Sequence, residues 1–347
     1  MWGIGGLLIW LAIARKMEPA LLLPMGFGAI LVNLPESGAA EVINHLFNLG
    51  IAGHELFPLI LFIGIGAMID FTPLLSNPKL MIFGAAAQFG ILFTLCAASW
   101  MGFETKDAAS IAIIGAADGP TAIFVSQALG SGYTAAIMVA AYSYMALVPM
   151  VQPPIIRLLT TKAERKIRMN YTPAQVSRTT KILFPILVTV IVGLVAPDSV
   201  ALIGFLMFGN LIRECTVLDS LSETAQKVLA NLVTIFLGLT ISARMTAAEF
   251  LRTETLMIMG LGLAAFVMDT VGGVLAAKFM NLFLKEKVNP MIGAAGISAF
   301  PMAARTVNKL GLEEDRTNHL LMHAVGVNVS GQIASVVAGG LILSLLS

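Results

Sequence analysis

The sequence is 347 residues long, with 57% hydrophobic and only 12% charged residues. Its mean hydropathy of +0.88 excludes an ordinary soluble globular domain. Because the formal net charge is only +1, no basic surplus favours nucleic acid as a partner. We therefore predict an all-α polytopic membrane protein, with room for roughly ten spanning or half-spanning segments at about 20 residues per crossing.

Cysteine and histidine usage argues against disulfides and zinc. The two cysteines, Cys96 and Cys215, lie in or beside apolar runs. The four histidines are spread through the chain without metal-ligand spacing. Neither a disulfide nor a zinc site is expected.

The first predicted segment is residues 1–16, an N-terminal membrane segment. Its apolar run is followed by Arg15 and Lys16, the reverse of the charge order of a secretory signal. At this length it is short for a full crossing. A first membrane repeat, residues 17–155, follows, and its apolar runs over 19–34, 57–69, 80–101 and 133–151 predict membrane segments.

Residues 156–181 form the longest polar stretch of the chain. The stretch contains seven Lys or Arg residues against a single acid, Glu164. Basic loops between membrane segments face the cytoplasm by the positive-inside rule. We therefore predict a basic cytoplasmic loop over 156–181, followed by a second membrane repeat over 182–347.

The stretch GAADGPTAIF, residues 115–124, contains an isolated acid. Asp118 is the only ionisable residue between positions 108 and 129, and the following Gly119 and Pro120 predict a break in the helix. A carboxylate near the bilayer centre costs several kcal/mol, so we expect Asp118 to face a cavity, a partner charge or a cation. The alternative is that Asp118 caps a short helix at a membrane interface.

The second half of the sequence echoes the first. LMIFG at Leu80 resembles LMIMG at Leu256, and IIGAADGPTA from Ile113 resembles MIGAAGISAF from Met291. Further matches occur in the same order, at a separation that grows slowly along the chain. The pattern predicts two structural repeats.

Charges around the two matching broken segments predict that the repeats are inverted. Lys285 and Lys287 before the second segment, and Arg305, Lys309 and Arg316 after it, make its flanks basic, whereas the flanks of the first are not. With basic flanks in the cytoplasm, the first segment enters from outside and the second from inside. Transporters with inverted repeats and discontinuous or re-entrant helices bind substrate and ion near the midplane, where the broken segments meet.

Polar residues of the second half are the predicted partners of Asp118. They are Asn289, Ser298 and Arg305 in the second broken segment, with Asn328, Ser330, Gln332 and Ser335 in the last crossing. Shifting Asn328 back by the repeat separation leads to Tyr144, a polar side chain in the matching helix. One carboxylate with amide and hydroxyl oxygens makes a hard-oxygen set that suits Na+.

Each of these residues also has a structural interpretation. Asn289 precedes a proline and is a candidate for an Asn-Pro turn at a helix start. Asn328 is equally compatible with hydrogen bonding between helices, and Arg305 with an interfacial arginine whose side chain extends to the lipid headgroups. Asp269, inside the apolar run 257–277, is a weaker candidate for the same site.

Four motifs carry a resemblance to a known family. They are GAADGPTAIF, the run from Asn289 to Arg305, GNLIRE from Gly209 to Glu214 and GVNVSGQIAS from Gly326 to Ser335. Together they resemble the beta subunit of the sodium ion-translocating, biotin-dependent decarboxylases, whose complexes act on oxaloacetate, methylmalonyl-CoA, glutaconyl-CoA or malonate. The resemblance covers nearly the whole chain, and the family's functional positions match here at Asp118, Tyr144, Asn289, Gly293, Ser298, Arg305 and Asn328.

The resemblance implies decarboxylation of carboxybiotin, with consumption of a proton and export of Na+. In this interpretation the Na+ ligands are expected at Asp118, Asn289 and Asn328. Ser298 and Tyr144 are expected to supply further oxygens or a proton path. Arg305 is expected to bind the carboxylate of carboxybiotin, since a guanidinium pairs bidentately with carboxylates.

The resemblance also implies cofactors, partners and a location. The cofactors are Na+ and biotin, the latter attached to a partner biotin carrier protein and not to this chain. The other partners are a carboxyltransferase (alpha) subunit, a small single-span membrane subunit and further copies of this chain, in a bacterial or archaeal cytoplasmic (inner) membrane. The competing interpretation is a Na+- or H+-coupled secondary transporter of small carboxylates, which would share the ion site and perform no chemistry.

Overall fold

The protein is α-helical, as a computed structural model describes it over residues 1–16, 19–36, 38–52, 55–169, 171 and 175–346. These residues contain no β-strand. The predicted all-α class is therefore confirmed.

Ten helices form the first part of the chain. Prolines, glycines and short polar turns separate the helices, because proline and glycine favour backbone dihedrals that end a helix. The helices are α1 Trp2–Ala14, α2 Pro19–Val32, α3 Ala39–Phe47, α4 Leu56–Met68, α5 Thr72–Ser76, α6 Met81–Ala87, α7 Phe89–Trp100, α8 Thr105–Ala112, α9 Gly119–Ala128 and α10 Thr134–Leu159.

Nine more helices follow. They are α11 Lys162–Arg165, α12 Arg178–Val195, α13 Val200–Glu214, α14 Asp219–Glu223, α15 Ala230–Ile241, α16 Ala247–Phe250, α17 Thr253–Phe283, α18 Met302–Glu314 and α19 Leu321–Leu346. Short 3-10 segments, among them Ile113–Ala116 and Pro290–Gly296, and two π-helical segments connect some of the helices.

Six helical stretches in the described part of the chain are long and apolar enough to cross a membrane, and a bent pair over α3 and α4 brings the number to seven. Helix α1, with 13 residues, and α2, with 14, are apolar but shorter. By the length and composition of these helices, the chain is a multi-pass membrane protein. The predicted count of roughly ten segments stays a prediction. The six stretches are 78–100, 134–159, 178–195, 219–244, 253–283 and 321–346.

The first broken segment, hairpin 1, consists of α8, the 3-10 turn Ile113–Ala116 and α9. Its two helices are separated at Ala117, which has a left-handed φ of 52°, and at Asp118, which is extended. The predicted break at Asp118 is thus confirmed. The Ser131 hydroxyl donates a hydrogen bond of 2.6 Å to Asp107 Oδ1, which joins the two ends of the hairpin.

The second broken segment, hairpin 2, consists of the 3-10 segment Pro290–Gly296 and α18. Its beginning and its end bind the same backbone carbonyl. Asn289 Nδ2 lies 2.9 Å from the oxygen of Arg165, and Asn318 Nδ2 lies 3.0 Å from it. The segment therefore enters and leaves the helical bundle at one place.

The two hairpins meet inside the protein. The Ser298 N–H donates to the Ala116 carbonyl at 3.0 Å, which joins the turn of one hairpin to the turn of the other. Helix α10 begins beside the ends of hairpin 1 and ends shortly before Arg165, beside the ends of hairpin 2. At 1.5 Å per residue its 26 residues span about 39 Å.

Outer helices of the two halves pack across each other. Helix α2 packs on α15, and α4 packs on α13. Small residues allow the close approach: a Cβ on Gly66 would lie 1.8 Å from the Leu206 carbonyl oxygen, and one on Gly209 would lie 2.0 Å from that of Ile63. The Asn210 amide then donates to the Ile69 carbonyl at 2.9 Å.

Candidate functional site

The Asp118 carboxylate lies in the buried centre of the protein. It occupies the N-cap position of α9, and the residue is only 3% exposed. Its Oδ2 accepts hydrogen bonds from the Thr121 hydroxyl at 2.7 Å and from Gln332 Nε2 at 2.9 Å, with the Ser335 hydroxyl at 3.5 Å. Asp118 is thus a capping residue by position, but it is bound from α19 rather than exposed at a membrane surface.

Ser298 and Asn328 extend this polar cluster. The Ser298 hydroxyl bonds to the Ser335 hydroxyl and donates to the Gly331 carbonyl at 3.0 Å. Asn328 Nδ2 donates to the Ile297 carbonyl at 2.6 Å, and its Oδ1 is buried without a hydrogen-bond partner in the described structure. Ser298 is therefore linked to Asp118 through Ser335, and Asn328 bonds to the backbone of the residue before Ser298.

The cluster is negatively charged and rich in oxygen. No ion pair joins Asp118 to a Lys or Arg among the described residues, so its charge has no protein counter-ion there. Within the same residues, no group of three or more His, Cys, Asp or Glu could hold a metal ion. One carboxylate with hydroxyl and amide oxygens fits a monovalent hard cation such as Na+ better than a divalent or soft metal.

Asn289 makes a different set of contacts. Its Nδ2 donates to the carbonyls of Arg165 and Ile167, both at 2.9 Å, and its Oδ1 accepts the Met291 N–H at 3.1 Å. These bonds cap the 3-10 segment and connect it to the basic loop. Asn289 is therefore placed at the opening of hairpin 2, and none of its described hydrogen bonds reaches the Asp118 cluster.

Tyr144 lies on α10 and faces α17. Its hydroxyl donates to the Met259 carbonyl, and its ring contacts Gly262 closely enough that a Cβ there would lie 2.8 Å from a ring carbon. The neighbouring Tyr142 lies nearer to the acid: a Cβ on Gly119 would lie 2.5 Å from Cζ of Tyr142. Tyr142 rather than Tyr144 packs directly beside the residue that follows Asp118.

Arg305 is exposed on the second turn of α18. Its guanidinium has no ion-pair or hydrogen-bond partner within the residues that the structure describes. It is therefore available to an anion. The acids at the end of the same helix are instead paired with the basic loop, as Glu313 with Arg157, Glu314 with Arg165 and Asp315 with Arg168.

Two residues beside the cluster, Thr121 and Tyr142, were not predicted from the sequence. Thr121 is three residues after Asp118, the spacing at which a capping carboxylate meets a hydroxyl, so helix periodicity was a usable signal. Gln332 was one of the polar candidates of the last crossing, and it donates directly to Asp118. No sequence signal identifies Tyr142, since its approach depends on how α9 and α10 pack.

The fold and this site together define a multi-pass helical membrane protein with a buried, cation-compatible oxygen cluster where two broken segments meet. Residues 1–346 match the family described as the Na+-transporting oxaloacetate decarboxylase beta subunit. The chain belongs to this family.

Individual relatives carry two kinds of name. The chain is 47% identical to a probable oxaloacetate decarboxylase beta chain of Pasteurella multocida, over 98% of this chain and 93% of the relative. It is 49% identical to the methylmalonyl-CoA decarboxylase subunit beta of Propionigenium modestum, over 97% and 92% of the two chains. The corresponding subunit of Veillonella parvula is 48% identical, over 99% and 92%.

Proposed function

We propose that this chain decarboxylates carboxybiotin presented by a partner biotin carrier and couples the reaction, with proton consumption, to Na+ export. The observation that carries the proposal is the Asp118 cluster. It provides a buried carboxylate with no counter-ion among the residues that the structure describes, in a family described as Na+-transporting. A buried charge of this kind is expensive unless a cation compensates it.

Inverted topology of the two repeats, 17–155 and 182–347, is part of the proposal. It is supported by the openings of hairpins 1 and 2, which lie near opposite ends of α10. It is also supported by the packing of helices from the first half on helices from the second half, namely α2 on α15 and α4 on α13. The basic loop 156–181 then assigns the opening of hairpin 2 to the cytoplasm, with residues 1–16 as a separate membrane segment.

The Na+ would bind where the two hairpins meet. Asp118 supplies the charge, Asn328 a buried carbonyl oxygen with no hydrogen-bond partner in the described structure, and Ser298 a hydroxyl linked to Asp118 through Ser335. We assign Asn289 to the cytoplasmic opening of hairpin 2 and to the entry of the ion. Tyr144 is assigned to the proton path, where its hydroxyl bonds to α17.

Arg305 would bind the carboxylate of carboxybiotin. It is exposed and cationic, and within the described part of the chain its guanidinium has no ion pair, which suits a residue that binds an external anion. A guanidinium can pair with that carboxylate through two parallel hydrogen bonds. As CO2 leaves, the biotin nitrogen takes up a proton, and Ser298 and Tyr144 are the hydroxyl groups proposed to deliver it.

Coupling follows from two orientations of the hairpins. Na+ at Asp118 and carboxybiotin at Arg305 can shift this equilibrium only by their different affinities for the two orientations. We propose that carboxybiotin stabilises the orientation open to the cytoplasm and that its decarboxylation releases the ion to the other side.

The remaining components act from other chains. The proposal requires a biotin carrier, a carboxyltransferase (alpha) subunit and a small single-span membrane subunit, in a homo-oligomeric complex of the cytoplasmic membrane. Relatives are named after oxaloacetate and methylmalonyl-CoA. The choice between such acids belongs to the carboxyltransferase, since the chain described here would receive only the carboxyl group on biotin.

The test is CO2 release from labelled carboxybiotin by the purified chain with its membrane partner, with and without Na+. We expect release that requires Na+ and falls at least about 100-fold in Asp118→Asn, because the ion loses its charged ligand. The matched control is Asp219→Asn, which neutralises an exposed acid. Absence of release at every Na+ concentration, with carboxylate uptake by vesicles, would establish the symporter alternative instead.

A further inference from the structure

A small cavity lies between α5 and the beginning of α19, on the side of the protein that carries the basic loop. Its described lining includes Ser76 of α5, Tyr171 of the loop and His323 of α19. Its volume is about 180 Å³, which is smaller than the roughly 300 Å³ at which pockets for drug-sized ligands begin. The cavity therefore has room for one small ring system.

One histidine presents an unused acceptor to this cavity. His323 is 7% exposed, and its ring donates a hydrogen bond to the Met169 carbonyl. Its Nε2 is buried and has no hydrogen-bond partner in the described structure. The bond to Met169 is therefore made by Nδ1, which carries the proton. In the neutral imidazole, Nε2 is then left as an acceptor.

A serine on the opposite wall presents an unused donor. Ser76 Oγ is buried, and it too has no hydrogen-bond partner in the part of the chain that the structure describes. Buried polar groups are normally hydrogen-bonded, so two such groups facing one cavity indicate a ligand that bonds to both. An exposed hydroxyl or imidazole would need no such partner, because water would satisfy it.

The rest of the lining is apolar or aromatic. Pro73, Leu80 and Met322 form apolar walls, and the Tyr171 ring meets the His323 ring edge to face at 5.6 Å. Among the described residues that line the cavity, none is Lys, Arg, Asp or Glu. A charged group would be unpaired in these surroundings, so the complementary ligand is neutral.

A cyclic urea matches this lining. Its ring N–H is a donor, its carbonyl oxygen is an acceptor beside that N–H, and the ring carries no charge. The ureido ring of biotin has both groups on one edge. It keeps one N–H next to the carbonyl when the other ring nitrogen carries the carboxyl group.

The cavity lies at the depth of Arg305. Helices α18 and α19 run in opposite directions from the turn that joins them, and Asn308 Oδ1 accepts the Leu320 N–H at 3.0 Å. Arg305 and His323 are each three residues further from the opening of hairpin 2, a rise of about 4.5 Å along either helix. Both are therefore within reach of one biotin group that enters beside the basic loop.

We propose that this cavity binds the ureido ring of biotin. His323 Nε2 accepts the ring N–H, and the Ser76 hydroxyl donates to the ring carbonyl. The inference rests on the proposed function, which brings biotin to this side of the chain, and adds a site for the ring to the carboxylate contact at Arg305. Since α5 belongs to the first half of the chain and α19 to the second, the bound ring joins the two halves.

The test is equilibrium dialysis of the purified chain in detergent against radiolabelled biotin methyl ester, with protein-free micelles as the blank. This probe is neutral and offers no carboxylate to Arg305. The wild type should bind it saturably. His323→Leu and Ser76→Ala should each weaken binding at least about 5-fold, because each leaves a polar group of the ring unpaired.

Two further variants show whether the acceptor itself is responsible. His323→Gln keeps an oxygen near the position of Nε2 and should recover part of the affinity. His319→Leu removes an exposed histidine just before α19 and is the matched control, which should bind as the wild type does. Binding of 22Na+ by each variant shows that the chain is folded.

Two small competitors test the hydrogen-bond pattern without any substitution. Ethyleneurea has the N–H and carbonyl groups of the ureido ring and should displace the ester. N,N′-dimethylethyleneurea keeps the carbonyl but has no N–H, so it should compete at least about 5-fold less well. Equal competition by the two would show that His323 does not accept a hydrogen bond from the ring.

The outcomes distinguish this inference from the proposed function. Absence of saturable binding, or equal binding by the wild type, His323→Leu and Ser76→Ala, overturns the cavity as a biotin site, even if CO2 release is normal. A cavity that holds only water gives this result. Binding with the expected pattern but no CO2 release from carboxybiotin would instead overturn the proposed decarboxylation and leave the ring site standing.

Discussion

The two hairpins share a path through the protein but differ in chemistry. Hairpin 1 contains the buried acid Asp118, and its ends are joined by one hydrogen bond, between Ser131 and Asp107. Hairpin 2 has no buried acid, and its ends are bound to the basic loop by Asn289, Asn318 and three ion pairs. The three pairs are Arg157 with Glu313, Arg165 with Glu314 and Arg168 with Asp315.

In the proposed function, this difference separates ion binding from attachment to the basic loop. The charge that attracts a cation belongs to hairpin 1, while hairpin 2 contributes hydroxyl and amide groups and carries Arg305. The hairpin that would meet the biotin carrier is thus the one held by the basic loop. Substitutions on each hairpin should therefore have separable effects on Na+ binding, decarboxylation and stability.

Arg305→Ala should have the largest effect on decarboxylation. Loss of a charged, two-point contact to a carboxylate should lower the rate of CO2 release about 100-fold or more. Binding of 22Na+ should persist, because Asp118 lies on the other hairpin. Arg305→Lys is the matched control and should recover part of the rate, since it keeps the charge but not the planar fork. Equal loss of Na+ binding would show that the two hairpins cannot be separated in this way.

Arg165→Gln should have the largest effect on stability. Arg165 is 6% exposed, its Nε lies 2.7 Å from Glu314 Oε1, and it also bonds to the Thr160 carbonyl. Removing one partner of a buried pair costs about 3 kcal/mol. Thermal unfolding in detergent should show this as a clear fall in Tm.

The control for this variant is Arg168→Gln. Its side chain is 64% exposed, and its pair with Asp315 is worth little in water. A similar fall in Tm for the two variants would mean that burial of Arg165 does not stabilise hairpin 2.

Ser335→Ala should give a moderate and specific loss of Na+ affinity. Its hydroxyl lies between Asp118 and Ser298. Loss of one hydroxyl costs about 1 kcal/mol, or roughly 5- to 10-fold in affinity. Ser330→Ala removes a hydroxyl of the same helix that bonds to the Leu80 and Val327 carbonyls. It should leave 22Na+ binding unchanged, and equal losses would contradict the assignment of Ser335.

The smallest effect is expected at the exposed end of hairpin 2. Hydrogen bonds from the Thr317 backbone and hydroxyl, and then the Arg168 guanidinium, lower the pKa of Asp315 from 3.8 to about 2. A lowered carboxyl pKa stabilises the folded state above pH 3.8, and the contribution is lost as the pH falls through about 2.

The Tm difference between the wild type and Asp315→Asn should consequently be small and constant between pH 8 and pH 5, at which Asp315 is ionised in both states. Below pH 4 the difference should shrink as the pH falls towards 2, and a difference that does not change there would show that the pKa of Asp315 is not lowered. Thermal unfolding of both proteins at several pH values measures this Tm difference directly.

Much of the fold follows from local sequence. The apolar runs predict the long helices because no soluble protein exposes so much apolar surface, and Asp118-Gly119-Pro120 predicts the break because proline cannot continue the hydrogen-bonding ladder of a helix. The segment 57–69 is found as Leu56–Met68, and the run 80–101 lies within the stretch Pro78–Trp100, with a bend at Gln88. These features depend on residues that are neighbours in the chain.

The site is less predictable, because its members are far apart in sequence. Asp118 and Gln332 become partners only when α9 packs on α19, and Asp269 reaches Gly90 only because α17 packs on α7. Asn289 was predicted as an ion ligand, yet its amide is used by the Arg165 and Ile167 carbonyls. Residue type indicated which groups can bind a cation, but not which of them meet.

By itself, the sequence determined the membrane class, the broken segment at Asp118 and the family, because hydropathy, proline geometry and long motifs are local properties of the chain. The tertiary structure alone decided which oxygens surround Asp118, that both ends of hairpin 2 bind the Arg165 carbonyl, and that Asp269 keeps one free oxygen. The physical reason is that hydrogen bonds and burial depend on distances between helices, and those distances are set by the packing of small residues from both halves of the chain.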